Sequence, residues 1–211
     1  MSSDTPEVNI ADKRNNITIE GRTYTQSCSA DGNPSPRVYW QSFDGMVQNG
    51  NNLQISSISR TQQGLYTCYA NNTFWDGSAA IGNDSVMVTV QYPPTIRTPP
   101  SAAIKEGAKV TLNCTMVEAN PMTVNFIWEL NDGTTFTEPI VDLYGVTREF
   151  TGIHMCTGTN TFYDNTQGTG SADLDLDVQC KGTDKWAFDR TRLLLIFNYL
   201  LDLSLPIRYL I

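Results

Sequence analysis

The sequence predicts an all-β protein made of two tandem β-sandwich domains and a short C-terminal tail that belongs to neither. Three observations carry this prediction. The chain repeats itself at a fixed spacing, apolar residues alternate with polar ones over short segments, and only 17% of its 211 residues are charged. Short alternating segments separated by turns are typical of antiparallel sheets packed face to face.

The internal repeat gives the number of domains. Residues 68–91 reappear as residues 156–179, 88 positions later and without a gap. Upstream, Cys28 and Cys114 are 86 positions apart, so the two copies differ by two residues in the segment that follows each of these cysteines. That segment contains Asn-Pro in both copies and is predicted to be a loop, where a change of length is tolerated. The chain therefore contains two copies of one fold.

Alternating residues predict the strands within each copy. The apolar residues on the last strand of the two copies are Val86, Val88 and Val90, and Leu174, Leu176 and Val178. A period of two with one apolar face indicates a half-buried strand. Pro93 and Pro94 follow the first copy, and we expect them to end its last strand and to stiffen a short linker. The predicted domains are therefore 1–92 and 93–179, followed by a tail, 180–211.

Composition excludes several classes of function. The net charge of −8 disfavours binding to nucleic acid or to an anionic membrane surface, because both need a basic patch. His154 is the only histidine, the cysteines form no C-x-x-C pair, and Asp173, Asp175 and Asp177 lie along one straight strand. One strand does not supply converging ligands for calcium. We therefore expect no metal, no cofactor and no catalytic site.

The first copy resembles the immunoglobulin superfamily, most closely its I-set or C2-like domains. Cys28 is followed after eleven residues by Trp40, and Gly-Leu-Tyr-Thr precedes Cys68. Similar tandem domains occur in nephrin, hemicentin and the carcinoembryonic-antigen-related proteins. The resemblance covers about residues 7–179. It implies two immunoglobulin-like sandwiches from a cell-surface adhesion or recognition protein.

The resemblance implies two disulfides, Cys28–Cys68 and Cys114–Cys156, with a tryptophan packed against each. Free buried thiols are the alternative. The resemblance also makes Tyr66 the tyrosine-corner residue, whose hydroxyl bonds back to the main chain. His154 stands at that position in the second copy. Because it lacks the hydroxyl, we expect that the usual corner bond cannot form and that the second domain is looser.

Four sequons, Asn-x-Ser/Thr, are candidate glycosylation sites, at Asn16, Asn71, Asn83 and Asn113. Together with the cysteine pattern they favour an extracellular, glycosylated protein. Asn113 precedes Cys114 on a predicted strand and is the least suited to modification.

The hairpins after Cys68 and Cys156 carry the candidate binding residues. These are Phe74 and Trp75 in the first copy, and Phe162 and Tyr163 in the second. Aromatic residues on loops held by a rigid scaffold are natural anchors for a ligand. The alternative, which we favour, is that they pack on their own hairpin or on the junction between the domains.

The tail is unrelated to the repeat. Its apolar run, 193–211, contains Asp202 and Arg208, whose cost in a bilayer offsets the apolar gain. It is therefore either a poor membrane anchor or, as we favour, read-through or alternatively spliced sequence. Cys180 is left unpaired or pairs between molecules. The first residues do not resemble a signal peptide, and we expect a fragment or splice product of a longer protein.

These features predict an extracellular or cell-surface adhesion and recognition module, which binds a protein or glycan ligand or a second copy of itself. Two alternatives remain open: a structural spacer within a larger protein, and a secreted immune-recognition protein. The fold and the resemblance do not identify the ligand.

Overall fold

A computed structural model describes residues 4–14 and 16–180, which form two β-sandwiches in tandem. The first contains β1 (Glu7–Ile10), β2 (Ile17–Ile19), β3 (Tyr24–Asp31), β4 (Arg37–Ser42), β5 (Val47–Asn49), β6 (Asn52–Ile55), a 3-10 turn (Arg60–Gln62), β7 (Gly64–Thr73) and β8 (Ala79–Arg97). The second contains β9 (Ala102–Lys105), β10 (Val110–Asn113), β11 (Thr115–Asn120), β12 (Asn125–Glu129), β13 (Thr135–Phe136), β14 (Ile140–Leu143), a 3-10 turn (Arg148–Phe150), β15 (Gly152–Thr161) and β16 (Gln167–Gln179). The predicted all-β class and tandem sandwiches are confirmed.

Two sheets enclose the core of domain 1. Strands β1, β3 and β6 form one sheet, and β5, β4, β7 and β8 lie in that order in the other, with β2 parallel to β8. Alternation in the sequence becomes alternation of burial, as expected for half-buried strands. The innermost side chains, at most 1% exposed, are Trp40, Leu53, Ile58, Tyr66, Cys68, Val88 and Val90. A disulfide from Cys28 on β3 to Cys68 on β7 joins the two sheets, with their Cα atoms 6.6 Å apart.

Domain 2 repeats this plan. Strands β10 and β14 pair in one sheet, and the other has the order β13, β12, β15, β16, β9. The core surrounds Trp128, and Leu112, Cys156 and Leu176 are almost completely buried beside it. A disulfide joins Cys114 to Cys156, with their Cα atoms 6.3 Å apart.

The expectation that Pro93 and Pro94 end a strand is wrong. Strand β8 runs without interruption from Ala79 to Arg97 and belongs to both domains, because its last residues pair with β11. The pairing joins Tyr92 to Asn120 and Thr95 to Glu118, with a register shift between the two pairs. The two prolines fall within that shift, so their missing N–H groups interrupt no regular ladder.

Domain 1 has the expected tyrosine corner bond, whereas domain 2 lacks the hydroxyl bond, as expected, and has a histidine bond in its place. The Tyr66 hydroxyl donates to the carbonyl oxygen of Gln62 at 2.8 Å. In domain 2 the buried His154 ring takes the same place, with Nε2 2.9 Å from the carbonyl oxygen of Phe150. Its Nδ1 lies 3.4 Å from the main-chain nitrogen of Asn131. With Nε2 as donor and Nδ1 as acceptor, the imidazole satisfies one main-chain group on each side.

Candidate recognition surface

The two aromatic hairpins have different environments. The tip of the β7–β8 hairpin points away from domain 2, and the side chain of Trp75 is 85% exposed. Phe74 beside it is half-buried. In domain 2 Phe162 is only 7% exposed and lies against Gly168 of its own hairpin. The hairpin itself thus covers the Phe162 ring, and ligand contact by Phe162 stays a prediction that would need the hairpin to open.

Tyr163 and its neighbour belong to the junction between the domains. The main-chain nitrogen of Tyr163 donates to the side-chain oxygen of Gln91 at 2.7 Å. Asp164 forms an ion pair with Arg22 of domain 1 at 2.8 Å. The Tyr163 ring remains 50% exposed beside these contacts. The hairpin of this copy thus contacts the junction through the Tyr163 main chain and Asp164, and a binding role for the exposed Tyr163 ring stays a prediction.

A second junction contact centres on Arg60. Its guanidinium makes a two-pronged ion pair with Glu20, reaches Glu118 of domain 2, and lies 4.0 Å from the centre of the Tyr92 ring. Hydrogen bonds from Arg60 are the main reason that the pKa of Glu20 lies below its usual value. One arginine thus contacts domain 1, domain 2 and the end of β8 between them, residues 92–97, which we call the linking strand.

Two equivalent glycines let the chain approach each sandwich closely. A Cβ atom on Gly82 would lie 1.9 Å from the carbonyl oxygen of Pro6, and one on Gly170 would lie 1.9 Å from that of Pro94. The buried Asn160 side chain also holds the linking strand, because its Nδ2 donates to the carbonyl oxygen of Tyr92 at 2.9 Å. The linking strand therefore packs directly on β15 and β16.

The outer surface of the larger domain 1 sheet carries four exposed large apolar side chains. We call it the domain 1 face and define it by the outward residues of β4, β5, β7 and β8: Arg37, Tyr39, Gln41, Val47, Asn49, Leu65, Thr67, Tyr69, Asn71, Ile81, Asn83, Ser85 and Met87. Val47, Leu65, Ile81 and Met87 are each between 44% and 56% exposed. Arg37, at one end, is the only ionised side chain in this set.

The middle of the domain 1 face is aromatic. Tyr39 and Tyr69 are cross-strand neighbours, and their rings stack with centres 5.3 Å apart and planes 18° apart. Beside them is a shallow hollow of about 240 Å³, lined by Gln41, Ser42, Phe43, Leu65, Thr67 and Tyr69. Aromatic groups beside a hollow are typical of the central anchors of protein interfaces.

The four candidate glycosylation sites lie in different environments. Asn71 and Asn83 are exposed and both belong to the domain 1 face. Asn83 is the cross-strand partner of Tyr69, and Asn71 is the partner of both Arg37 and Ile81. Asn16 and Asn113 are half-buried and lie elsewhere, beside β8 and opposite Ile140 on β14.

The corresponding surface of domain 2 is acidic. The outward residues of β12, β15 and β16, which we call the domain 2 face, are Ile127, Glu129, Ile153, Met155, Thr157, Asp173, Asp175 and Asp177. The three aspartates are fully on the solvent side of β16. They occupy the positions that are Ser85, Met87 and Thr89 in domain 1.

The remaining predicted features lie elsewhere or outside the described residues. Within residues 4–14 and 16–180 no group of acidic, histidine or cysteine side chains is arranged to hold a metal ion, and no helix has the length and apolarity to cross a membrane. Cys180 is exposed and unbonded to another cysteine, 3.6 Å from an Arg148 nitrogen. The predicted apolar run in the tail lies outside the described residues.

Sequence reasoning missed the domain 1 face. Its residues alternate with core residues on the same strands, but several are themselves apolar, so the pattern of polarity does not separate the two sides. The usable signal is the comparison of the copies, since the apolar Met87 corresponds to Asp175.

Comparison with known proteins agrees with this architecture. A model of the family described as "Immunoglobulin domain" matches residues 5–72. IgLON family member 5 of Homo sapiens is 36% identical over 118 residues, which is 55% of this chain and 34% of that protein. Limbic system-associated membrane protein of Gallus gallus is 29% identical over 191 residues, covering 78% of this chain and 54% of that protein. The chain thus spans about a third to a half of the length of these curated relatives.

Among solved structures, the crystal structure of DIP-gamma IG1+IG2 matches with a TM-score of 0.64 at 21% identity. The match covers 83% of this chain and 98% of that one. At this level of identity the likeness concerns the fold, and it supports two immunoglobulin-like sandwiches in tandem.

Proposed function

We propose that the chain is an immunoglobulin-superfamily protein and the recognition part of a cell-surface adhesion protein, binding a partner protein through the domain 1 face. The relatives include a protein named as a membrane protein, which supports a location at the cell surface. The chemistry of the domain 1 face, with tyrosine hydroxyls and amides but no acid, base or thiol nucleophile, supports binding without catalysis.

The observation that carries the proposal is the surface around the Tyr39–Tyr69 stack, where exposed apolar side chains lie among uncharged polar ones and the only ionised group of the set, Arg37, is at one end. From Leu65 to Asn71 it extends about 20 Å along β7 at about 3.3 Å per residue. Exposed apolar surfaces of this kind are uncommon on monomers and mark contact sites. Interface centres are depleted of charged residues and enriched in tyrosine, which matches this set.

A second copy of the chain is the first partner to test. When two neutral faces meet, no carboxylate or ammonium group is left buried without a partner, so the main cost of burying charge does not arise. The domain 2 face, with its aspartates, would repel a copy of itself. Self-association is therefore expected through domain 1.

The test is a charge substitution on the domain 1 face, with a matched control on domain 2. In protein refolded without glycans, Leu65→Asp should weaken self-association at least about tenfold, because burying one unpaired carboxylate costs more than about 1.4 kcal/mol. Ile153→Asp, at the equivalent position of domain 2, should leave association unchanged. Sedimentation velocity over a concentration series measures both, and thermal unfolding checks that each variant is folded.

Trp75→Ala separates the domain 1 face from the hairpin tip. If the tip were the anchor, Trp75→Ala would weaken association and Leu65→Asp would not. Bare protein that stays monomeric at every accessible concentration would overturn self-association.

A spacer function is the second candidate, favoured by the contacts of Arg60, Arg22 and Asn160 across the junction. They would hold two domains at a fixed distance without any partner at the domain 1 face. A spacer predicts that neither Leu65→Asp nor Trp75→Ala changes any association of the chain.

A further inference from the structure

We propose that N-linked glycans on Asn71 and Asn83 cover the domain 1 face, so that only the unglycosylated face is free to pair. The inference rests on the proposed function and adds a way in which pairing through that surface is regulated. It follows from the strand register, which places two of the four sequons inside the apolar surface itself.

Asn83 lies opposite the centre of the domain 1 face. Its cross-strand partner is Tyr69, one ring of the stacked pair, and directly opposed side chains have Cβ atoms about 4.5–5.5 Å apart. A sugar attached to the Asn83 amide would therefore start beside the Tyr69 ring. Residues on the same side, Ile81 and Ser85, flank it along β8 and leave no other direction than across the sheet or outward.

Asn71 lies at the end of the domain 1 face nearest the tip of the β7–β8 hairpin. It is opposed by Arg37 on one side and Ile81 on the other. Both asparagines are exposed, and neither side-chain amide hydrogen-bonds to another described residue in the structure. Each is therefore accessible to a transferase without breaking an existing contact.

The modification is a group transfer with a defined donor. The side-chain amide nitrogen bonds to the anomeric carbon of a lipid-linked oligosaccharyl diphosphate, the bond from that carbon to the diphosphate oxygen breaks, and the amide loses one proton to a base of the transferase. The lipid diphosphate leaves. No oxidation or reduction takes place, and the product is a large, strongly hydrated substituent at the surface.

Comparison of the two domains supports a masking role. The positions equivalent to Asn71 and Asn83 in domain 2 are Thr159 and Ser171, neither of which is an asparagine. Domain 2 instead carries Asp173, Asp175 and Asp177 on the same strand as Ser171. Charged side chains keep the domain 2 face soluble, whereas the domain 1 face lacks these charges and carries two sequons instead.

The experiment uses the full chain secreted from mammalian cells behind a cleavable signal. Glycopeptide mapping gives the occupancy of each asparagine, and sedimentation velocity gives the association constant. The glycosylated chain should be monomeric, and the double variant Asn71→Gln/Asn83→Gln should associate at least about tenfold more tightly. Asn16→Gln, a sequon away from the domain 1 face, should behave as the unmodified sequence does. Thr73→Ala removes the Asn71 sequon while retaining Asn71, and it should reproduce Asn71→Gln.

Methionine oxidation footprinting measures how far the glycans cover the domain 1 face, independently of self-association. At concentrations where all forms are monomeric, Met87 should be oxidised more slowly in the glycosylated chain than in the double variant. Met155, on the domain 2 face, should be oxidised equally in both. Equal oxidation of Met87 in the two forms would overturn the masking.

The outcomes separate the two proposals. A double variant that associates no more tightly than a fully occupied glycosylated chain, when both associate, overturns masking alone. A double variant that stays monomeric overturns the self-association of the proposed function, whereas the Met87 footprint still tests the cover. Bare asparagines at both 71 and 83 in the secreted chain also overturn the masking.

Discussion

The two aromatic hairpins begin with nearly the same sequence and have opposite environments. Phe74-Trp75-Asp76 lies at the end of domain 1 opposite domain 2, whereas Phe162-Tyr163-Asp164 lies at the junction with domain 1. The local conformation is shared: Asp76 accepts hydrogen bonds from Ser78, and Asp164 accepts the same bonds from Thr166. Only Asp164 also has a partner in the other domain, Arg22.

This difference shows that the order of the domains, rather than the hairpin sequence, determines what the aromatic tip contacts. In a tandem chain the same end of each sandwich points toward the preceding domain. Domain 2 has such a neighbour in the structure. Its hairpin tip contacts Gln91 and Arg22 of domain 1, and its Asn160 side chain holds the linking strand. Substitutions of equivalent residues in the two copies test this dependence on domain order.

The largest effect is expected from Gly170→Ala. Its new Cβ would overlap the carbonyl oxygen of Pro94, a main-chain atom that cannot rotate away, so the linking strand must shift. Overpacking of this kind costs on the order of 1–3 kcal/mol. We expect lower stability of domain 2 in denaturant and a changed X-ray scattering profile in solution.

Gly82→Ala is the matched control for that shift. It makes the same overlap with Pro6, so a similar loss of stability is expected in domain 1. Because Pro6 precedes β1, far along the chain from the segment that links the domains, the arrangement of the two domains should be unchanged. Equal changes in scattering for both variants would contradict the role given to Gly170.

An effect of similar size or smaller is expected at the two corners. Tyr66→Phe removes one hydrogen bond, to the Gln62 carbonyl, at a cost of about 1 kcal/mol. His154→Phe leaves both the Phe150 carbonyl and the Asn131 N–H without the imidazole, at a cost of about 1–3 kcal/mol. Denaturant unfolding of each variant measures the difference, and equal losses would mean that the Asn131 contact contributes nothing.

The sequence predicts the fold well because the repeat and the cysteine and tryptophan spacing are themselves the pattern of two sandwiches. It predicts the corner bond of Tyr66, but it does not predict the bond of His154. A missing hydroxyl indicates a lost bond until the structure shows an imidazole nitrogen within reach of the same carbonyl. The junction could not be predicted for a different reason: its partners, such as Arg22 and Asp164, are far apart in the chain, and no local period joins them.

The domain boundary at residue 92 remains a prediction. The two hydrophobic cores lie on either side of it, since the first ends at Val90 and the second begins at Ile96. Strand β8 crosses the boundary without a break, so cutting the chain at residue 92 would remove the part of β8 that pairs with β11.

The smallest effect is expected at two equivalent ion pairs, Arg60–Glu20 in domain 1 and Arg148–Glu106 in domain 2. The first is tight, with nitrogen–oxygen distances of 2.6 to 3.1 Å, and its side chains are about a quarter exposed. The second has a single contact at 4.0 Å, and the Arg148 side chain is 66% exposed. Arg60→Ala should therefore cost about 1 kcal/mol, and Arg148→Ala should cost almost nothing.

The dependence on pH distinguishes loss of this ion pair from loss of packing by the Arg60 side chain. Hydrogen bonds from Arg60 lower the pKa of Glu20 in the folded protein, so the pair stabilises the fold fully above the ordinary glutamate pKa of 4.5. That contribution is lost as the pH falls through the lowered folded pKa, where the carboxylate becomes protonated. The difference in free energy of unfolding between the unmodified chain and Arg60→Ala should thus shrink on acidification below pH 4.5. A difference that stays constant with pH would assign the effect to packing of the guanidinium on Tyr92 instead, since that contact does not require Glu20 to be charged.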